Sequence, residues 1–225
     1  MKYLQTPLQT SNYFSDSELQ TTVRMINNLS ADLNIMRPSM LETGLESISW
    51  NINRKNSDLR FFEFGKTYEN SQPGKYAEIN HCCLYTTGNL QHESWKGKAV
   101  PADFYYIKGV CTAICELTGI KGEIQSLNHP KLVAGIEIRQ GEKIIFVAGE
   151  VDAAILRKFD IRQPVFFTDI YWDNLLDIIT GNSVVFSELS KQVPVNRDLA
   201  LIVEKSLPFE TIEKTVFSIG FTEIA

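Results

Sequence analysis

Apolar residues recur with a helical period between Leu41 and Ile52. Leu41, Leu45, Ile48 and Ile52 fall at i, i+4, i+7 and i+11, which is one face of a helix. Pro38 suits the first turn of that helix, where its missing N–H costs nothing. On the N-terminal side, Val23 and Met25 alternate with Thr22 and Arg24, and on the C-terminal side Leu59 to Phe64 is rich in aromatics. Both are strand patterns. The stretch Thr21 to Tyr68 is therefore expected to run strand, turn, helix, strand.

The rest of the chain divides in the same way. Ser15-Asp16-Ser17-Glu18 has capping-box spacing and predicts a short helix. Asn70 to Gly74 is a turn. Glu78 to Thr87 is a strand with Ile79, Cys83 and Tyr85 on one side and Cys82, Leu84 and Thr86 on the other, so it is expected to be central. Gly88 to Ala102 is a loop containing Trp95. Asp103 caps a helix with Ile107, Val110, Ile114 and Leu117 on one face, and Gly119 ends it. Leu132 to Arg139 and Lys143 to Glu150 form a hairpin about Gln140-Gly141. A helix over Asp152 to Phe159, a strand over Val165 to Tyr171, a helix over Trp172 to Ile179 and a strand over Ser183 to Leu189 follow. Lys191-Gln192-Val193-Pro194 marks a boundary, with a strand through Leu199 to Val203 and a helix from Phe209 to Ile219 beyond it. Hairpins outnumber βαβ units, which predicts an α+β fold with a mostly antiparallel sheet flanked by helices.

Composition narrows the function classes. A net charge of −5 argues against a stand-alone nucleic-acid binder. No apolar run approaches the ~20 residues of a membrane span, and Met1 to Thr10 lacks a signal-peptide core, so a cytoplasmic location is expected. Cys82 and Cys83 point to opposite faces of a strand, and Cys111 and Cys115 share a helix face. None has zinc-finger spacing, and buried free thiols are the expectation. The sequence has no Gly-rich phosphate loop, no Gly-x-Ser-x-Gly elbow and no His-Glu-x-x-His pair. His81, His92 and His129 are scattered; the first reads as a sheet residue, the second as a solvated loop residue.

Several short motifs stand in order. Asn28, Ser30 and Asp32 precede Arg37-Pro38-Ser39, which opens the first helix. Asn51 or Asn53 follows near its end, then Phe62-Glu63-Phe64-Gly65 on a strand. Trp95 precedes Asp103-Phe104-Tyr105 and Lys108-Gly109, and His129-Pro130 stands just before the hairpin. Pro194 is followed by Arg197-Asp198 and an apolar run. Together these resemble the β subunit of bacterial phenylalanyl-tRNA synthetase, from about Thr10 to Ala225. Two departures are visible. Leu29 replaces the Pro that the family often has after its first Asn, and Glu150-Val151-Asp152-Ala153 replaces a second His-Pro.

The resemblance implies a class II aminoacyl-tRNA synthetase-like core over residues 1–190. It also implies the start of a ferredoxin-like anticodon-binding domain over residues 191–225, cut within that domain as in a fragment of a longer chain. It implies a scaffold without activity of its own, partnered by the α subunit that holds the active site in an α2β2 assembly. The whole enzyme would use ATP, Mg²⁺, phenylalanine and tRNA(Phe); the fragment itself would hold no cofactor. Arg60 is a candidate for one ATP-binding arginine, but Trp172 to Ile179 carries two Asp and no second Arg. Arg37 and Glu63 are expected in structural roles, Arg37 near a helix start and held by a carboxylate or a partner chain. Met36, Met40 and Trp50 lie off the helix core stripe and are candidate contacts to the α subunit. Rival readings are a free-standing class II-type ATP-dependent ligase, marked by a second Arg across a pocket from Arg60, and a plain α+β interaction module.

Overall fold

The computed structural model describes residues 8–27, 30, 33–72, 74–181 and 198–218. The chain divides into two compact units, Met1–Ser183 and Val184–Ala225. In the first unit, β1 (Leu8–Gln9) pairs with β2 (Ile35–Met36), and a short α1 (Asp16–Leu19) lies between them. Then come α2 (Leu41–Ile52), β3 (Leu59–Gln72), β4 (Lys75–Thr87), β5 (Asn89–Gln91), β6 (Val100–Pro101) and α3 (Phe104–Thr118). β7 (Glu123–His129), β8 (Leu132–Gln140), β9 (Lys143–Val151), α4 (Ala153–Lys158), β10 (Val165–Tyr171) and α5 (Trp172–Ile179) complete it. Six strands form one antiparallel sheet in the order β3-β4-β10-β9-β8-β7.

Each face of the sheet carries its own core. α2 sets Leu41, Leu45 and Ile48 against Cys83, Tyr85 and Phe167, with Leu156 and Phe159 of the α4 region beside them. On the other face Cys111 and Cys115 of α3 and Leu175 of α5 meet Cys82, Phe146 and Ile170. β4 therefore has apolar residues buried on both sides, as its sequence predicts. Gly44 has a packing reason: a Cβ there would run into the Tyr85 ring. The Tyr85 hydroxyl donates to the Met40 carbonyl at 2.6 Å, which ties the helix start to the sheet.

Local chemistry sets the ends of the elements. The Asp103 side chain accepts from Tyr106 N at 2.8 Å, and Gly119 ends α3 in the left-handed region at φ 68°. Ser15 and Glu18 form the reciprocal capping box. Asp152 caps α4 through Ala154 N.

Several expectations are corrected. Pro38 lies ahead of α2, which begins at Leu41 with Met40 as its cap residue. The expected strand at Val23 and Met25 is reduced to isolated bridges at Thr22 and Arg24. Leu117 is 87% exposed; the buried face of α3 runs through Ile107, Cys111 and Cys115 instead. β7, a sheet edge with only Ile124 and Leu127 as its apolar residues, is an element that the sequence pattern did not reveal.

In the second unit, α6 (Phe209–Ser218) is helical, while Leu199 to Val203 belongs to no strand among the described residues. The expected strand at Ser183 to Leu189 lies outside the described residues, as do Asn28, Asp32 and Arg197. No helix among the described residues is long and apolar enough to cross a membrane.

Candidate functional site

Strand register builds the floor of one cavity. Glu63, Cys83 and Asp169 are direct cross-strand partners on β3, β4 and β10, so their side chains stand in a row on the α2 face. The next row on that face is Gly65, His81 and Tyr171. Of these rows His81, Asp169 and Tyr171 line a cavity of about 250 Å³, together with Glu18, Pro38, Thr67, Glu69, His129, Lys131, Val147 and Phe167.

The charged groups here bind one another. Arg37 is 4% exposed; its Nη1 donates to Glu63 Oε1 at 2.8 Å and its Nε to the Lys66 carbonyl at 2.8 Å. Gly65 leaves room for this, since a Cβ there would meet Arg37 Nη2 and Met40 Cε. The motifs around Arg37 and Phe62-Glu63-Phe64-Gly65 are thus two halves of one contact. The carboxylate that holds Arg37 is Glu63, and Arg37 lies ahead of the helix rather than in its first turn.

His81 is buried with both ring nitrogens engaged, Nδ1 with Asp169 Oδ1 at 2.7 Å and Nε2 with Thr67 Oγ1 at 2.8 Å. A general base needs a nitrogen that can reach a substrate proton, and this ring offers none. The Cys83 thiol also donates to Asp169 Oδ1, at 3.4 Å. Burial, with Asp169 beside it, pushes that thiol well above its ordinary value, which suits a thiol and not a nucleophile.

Lys131 Nζ lies 2.5 Å from Glu18 Oε1 and 2.7 Å from Glu42 Oε1. Burial works to lower the Lys131 pKa, but Glu42 and Glu18 together outweigh it and raise it. Glu18 is the mirror case: burial works to raise its pKa, and hydrogen bonds from Lys131 and Ser15 bring the net shift below its ordinary value. His129 stands beside this cluster, its Nδ1 accepting from Lys131 N at 3.2 Å. Burial first, and the Lys131 ammonium second, lower its pKa.

The remaining sequence-derived residues scatter. Arg60 lies on the opposite face of β3 from Glu63 and donates to the Leu90 carbonyl, so it does not reach the cavity. The two acids of α5 are tied elsewhere, Asp173 to Asn80 and Asp177 to Lys143. Trp95 is 91% exposed at a hairpin tip closed by Ser94 and Gly97. Lys108 and Gly109 lie within α3, and nothing approaches Gly109. Pro130 lines the cavity; Asp198 is exposed and Ser30 half-buried. Met40 is 1% exposed within the core, so its side chain is not available to a partner; Met36 and Trp50 are half-buried, with Arg54 stacked on the indole. Glu18, Lys131 and Asp169 escaped the sequence reading. Their partners lie up to 113 residues away along the chain, as Lys131 does from Glu18, and no local spacing marks them. Among the described residues no group of three His, Cys, Asp or Glu could hold a metal ion.

Comparison with known proteins agrees with this architecture. Two pyrrolysyl-tRNA synthetase structures from Desulfitobacterium hafniense share the fold. One has a TM-score of 0.59 at 14% identity over 79% of this chain and 62% of that one. The phenylalanine–tRNA ligase beta subunit of Bacteroides fragilis is 35% identical over 207 residues, 87% of this chain and 25% of the relative. That of Porphyromonas gingivalis is 28% identical over 206 residues, 86% of this chain and 25% of the relative. The chain thus spans about a quarter of the length of these relatives. The sequence profile described as "Phenylalanyl tRNA synthetase beta chain CLM domain" matches residues 4–172, and the chain belongs to that family.

Proposed function

We propose that this chain is a non-catalytic part of the β subunit of phenylalanine–tRNA ligase. It would act as scaffold for the α subunit that charges tRNA(Phe), in an α2β2 assembly. ATP and Mg²⁺ would be used by the whole enzyme, in the cytoplasm, and not by this part. The observation that carries the reading is the state of the cations in and around the cavity. Lys131 is shared by two carboxylates, Arg37 is committed to Glu63, and Arg60 lies on the other face of β3. A triphosphate needs cations free to meet it. The β-subunit identity of the relatives supports the same reading.

Residues 191–225 would begin a ferredoxin-like anticodon-binding domain, a reading supported by Arg197-Asp198 and by helix α6. The partner-facing surface would include Met36 and Trp50. Pyrophosphate exchange tests the central claim. The chain with ATP, Mg²⁺ and phenylalanine is expected to give no exchange above buffer, while addition of the α subunit gives a complex on size exclusion. Exchange that scales with the chain alone and survives repurification overturns it.

A further inference from the structure

The internal ion pairs leave part of the cavity's chemistry unused. On one side Lys131 is committed to Glu18, which lines the cavity, and to Glu42 behind it. On the other side Asp169 uses only Oδ1, for His81 and Cys83. Asp169 Oδ2, the Glu69 carboxylate and the Tyr171 hydroxyl line the cavity and make no hydrogen bond among the described residues. The Tyr171 hydroxyl is pushed up to about 12 by burial, with Asp169 next, so it stays protonated.

The charge balance has one sign. Glu18, Glu69 and Asp169 are three carboxylates on the cavity's wall, and Lys131 is the one Lys or Arg side chain among the described residues that lines it. His129 is held neutral at pH 7 by burial and by Lys131. The field therefore favours a cation, and an anionic headgroup would meet unpaired carboxylates. The remaining wall is apolar, formed by Ile79, Leu132, Val147 and Phe167.

We propose that this cavity binds a small organic ammonium ion with an apolar body. The ammonium group would be taken by Asp169 Oδ2, Glu69 and the Tyr171 hydroxyl, and the body would rest on Val147, Phe167 and Leu132. A free amino acid is a poorer ligand than the matching amine, because its carboxylate finds no uncommitted cation. This site does not depend on whether the chain pairs with an α subunit.

Phenethylamine is the probe, followed by amide NMR of the isotopically labelled chain. Its anionic counterpart 3-phenylpropanoate and phenylalanine are titrated in parallel. Phenethylamine is expected to shift the amides of Ile79, Val147, Phe167 and Tyr171 saturably, with phenylalanine weaker and 3-phenylpropanoate without effect. Asp169→Asn should weaken binding about tenfold, the size expected for loss of one charged hydrogen-bond partner. Because Asp169 also holds His81, the double variant Glu69→Gln/Tyr171→Phe provides a second test that leaves that pair intact. Equal binding of the cationic and anionic probes overturns the proposal. So do saturable shifts confined to another surface, the absence of saturable shifts, or parental affinity in the double variant.

Discussion

Arg37 and Glu63 meet at 2.8 Å across 26 residues of sequence, and Gly65, two positions beyond Glu63, provides the space for the guanidinium. Three motif residues therefore act as one unit. Removing Glu63 leaves a buried guanidinium without its counter-charge, and removing Arg37 leaves a carboxylate whose side chain is only 26% exposed. Arg37→Met should cost about 3 kcal/mol and Gly65→Ala about 2 kcal/mol in urea unfolding. Their effects should be markedly less than additive, because the alanine methyl collides with the side chain that the first change removes. Additive costs in a double-mutant cycle would separate the glycine from the arginine.

Acid should weaken the fold in two stages. The pKa of His129 is lowered by burial and Lys131, so the unfolded chain binds its proton first. Its contribution is complete above the ordinary value of 6.5 and fades as pH falls through the folded value. The pKa of Glu18 is also lowered, so its contribution is complete above 4.5 and is lost further down. Lys131 is raised, and its contribution persists until pH climbs past 10.5 towards the folded value. Chemical denaturation across pH should show the upper acid stage disappear in His129→Ala and the lower one shrink in Lys131→Met. An unchanged profile in both variants would refute the assignment.

Thiol chemistry should be slow in the native chain. Burial pushes Cys82 and Cys111 up to about 11 and Cys83 well above its ordinary value, and Cys115 is also raised. At pH 8 Ellman's reagent is expected to label these four only at the rate of unfolding. Labelling that is fast and indifferent to mild urea would contradict the burial.

Met40 and Trp50, alike in sequence as large apolar residues off the α2 core stripe, should respond differently to charge. Met40 lies against Gly65 in the core, so Met40→Glu should abolish the cooperative melt. Trp50 is half-buried under Arg54, so Trp50→Glu should remain folded by circular dichroism. If Trp50 is a central contact to the α subunit, Trp50→Glu should weaken that association by about 2 kcal/mol in a titration.

What was legible in the sequence was local. The period of Leu41 to Ile52, the Asp103 cap with its closing Gly119, and the Gln140-Gly141 hairpin all express themselves within a few residues. β7 stayed hidden because an edge strand with Ile124 and Leu127 as its only apolar residues has too little alternation to read. Leu199 to Val203 has the reverse problem: its composition is that of a strand, but a strand exists only with a partner to bond. The cavity was illegible for a similar reason. Asp169 meets His81 across 88 positions and Lys131 meets Glu42 across 89, so only the completed sheet brings them together.

The two-sided burial of β4 bears on how this chain can change length. Cys83 and Tyr85 face α2, while Cys82 faces α3. Deleting a single residue near Leu84 would move the part of the strand before it, His81 to Cys83 included, by one step and exchange the side chains it offers to the two helical layers. His81 would leave Asp169 in the same event. The Gln72–Lys75 tip, exposed at the far end of the same hairpin, has no such constraint. Among homologues, insertions and deletions in this hairpin should gather at that tip, and the stretch from Asn80 to Thr87 should keep one fixed length.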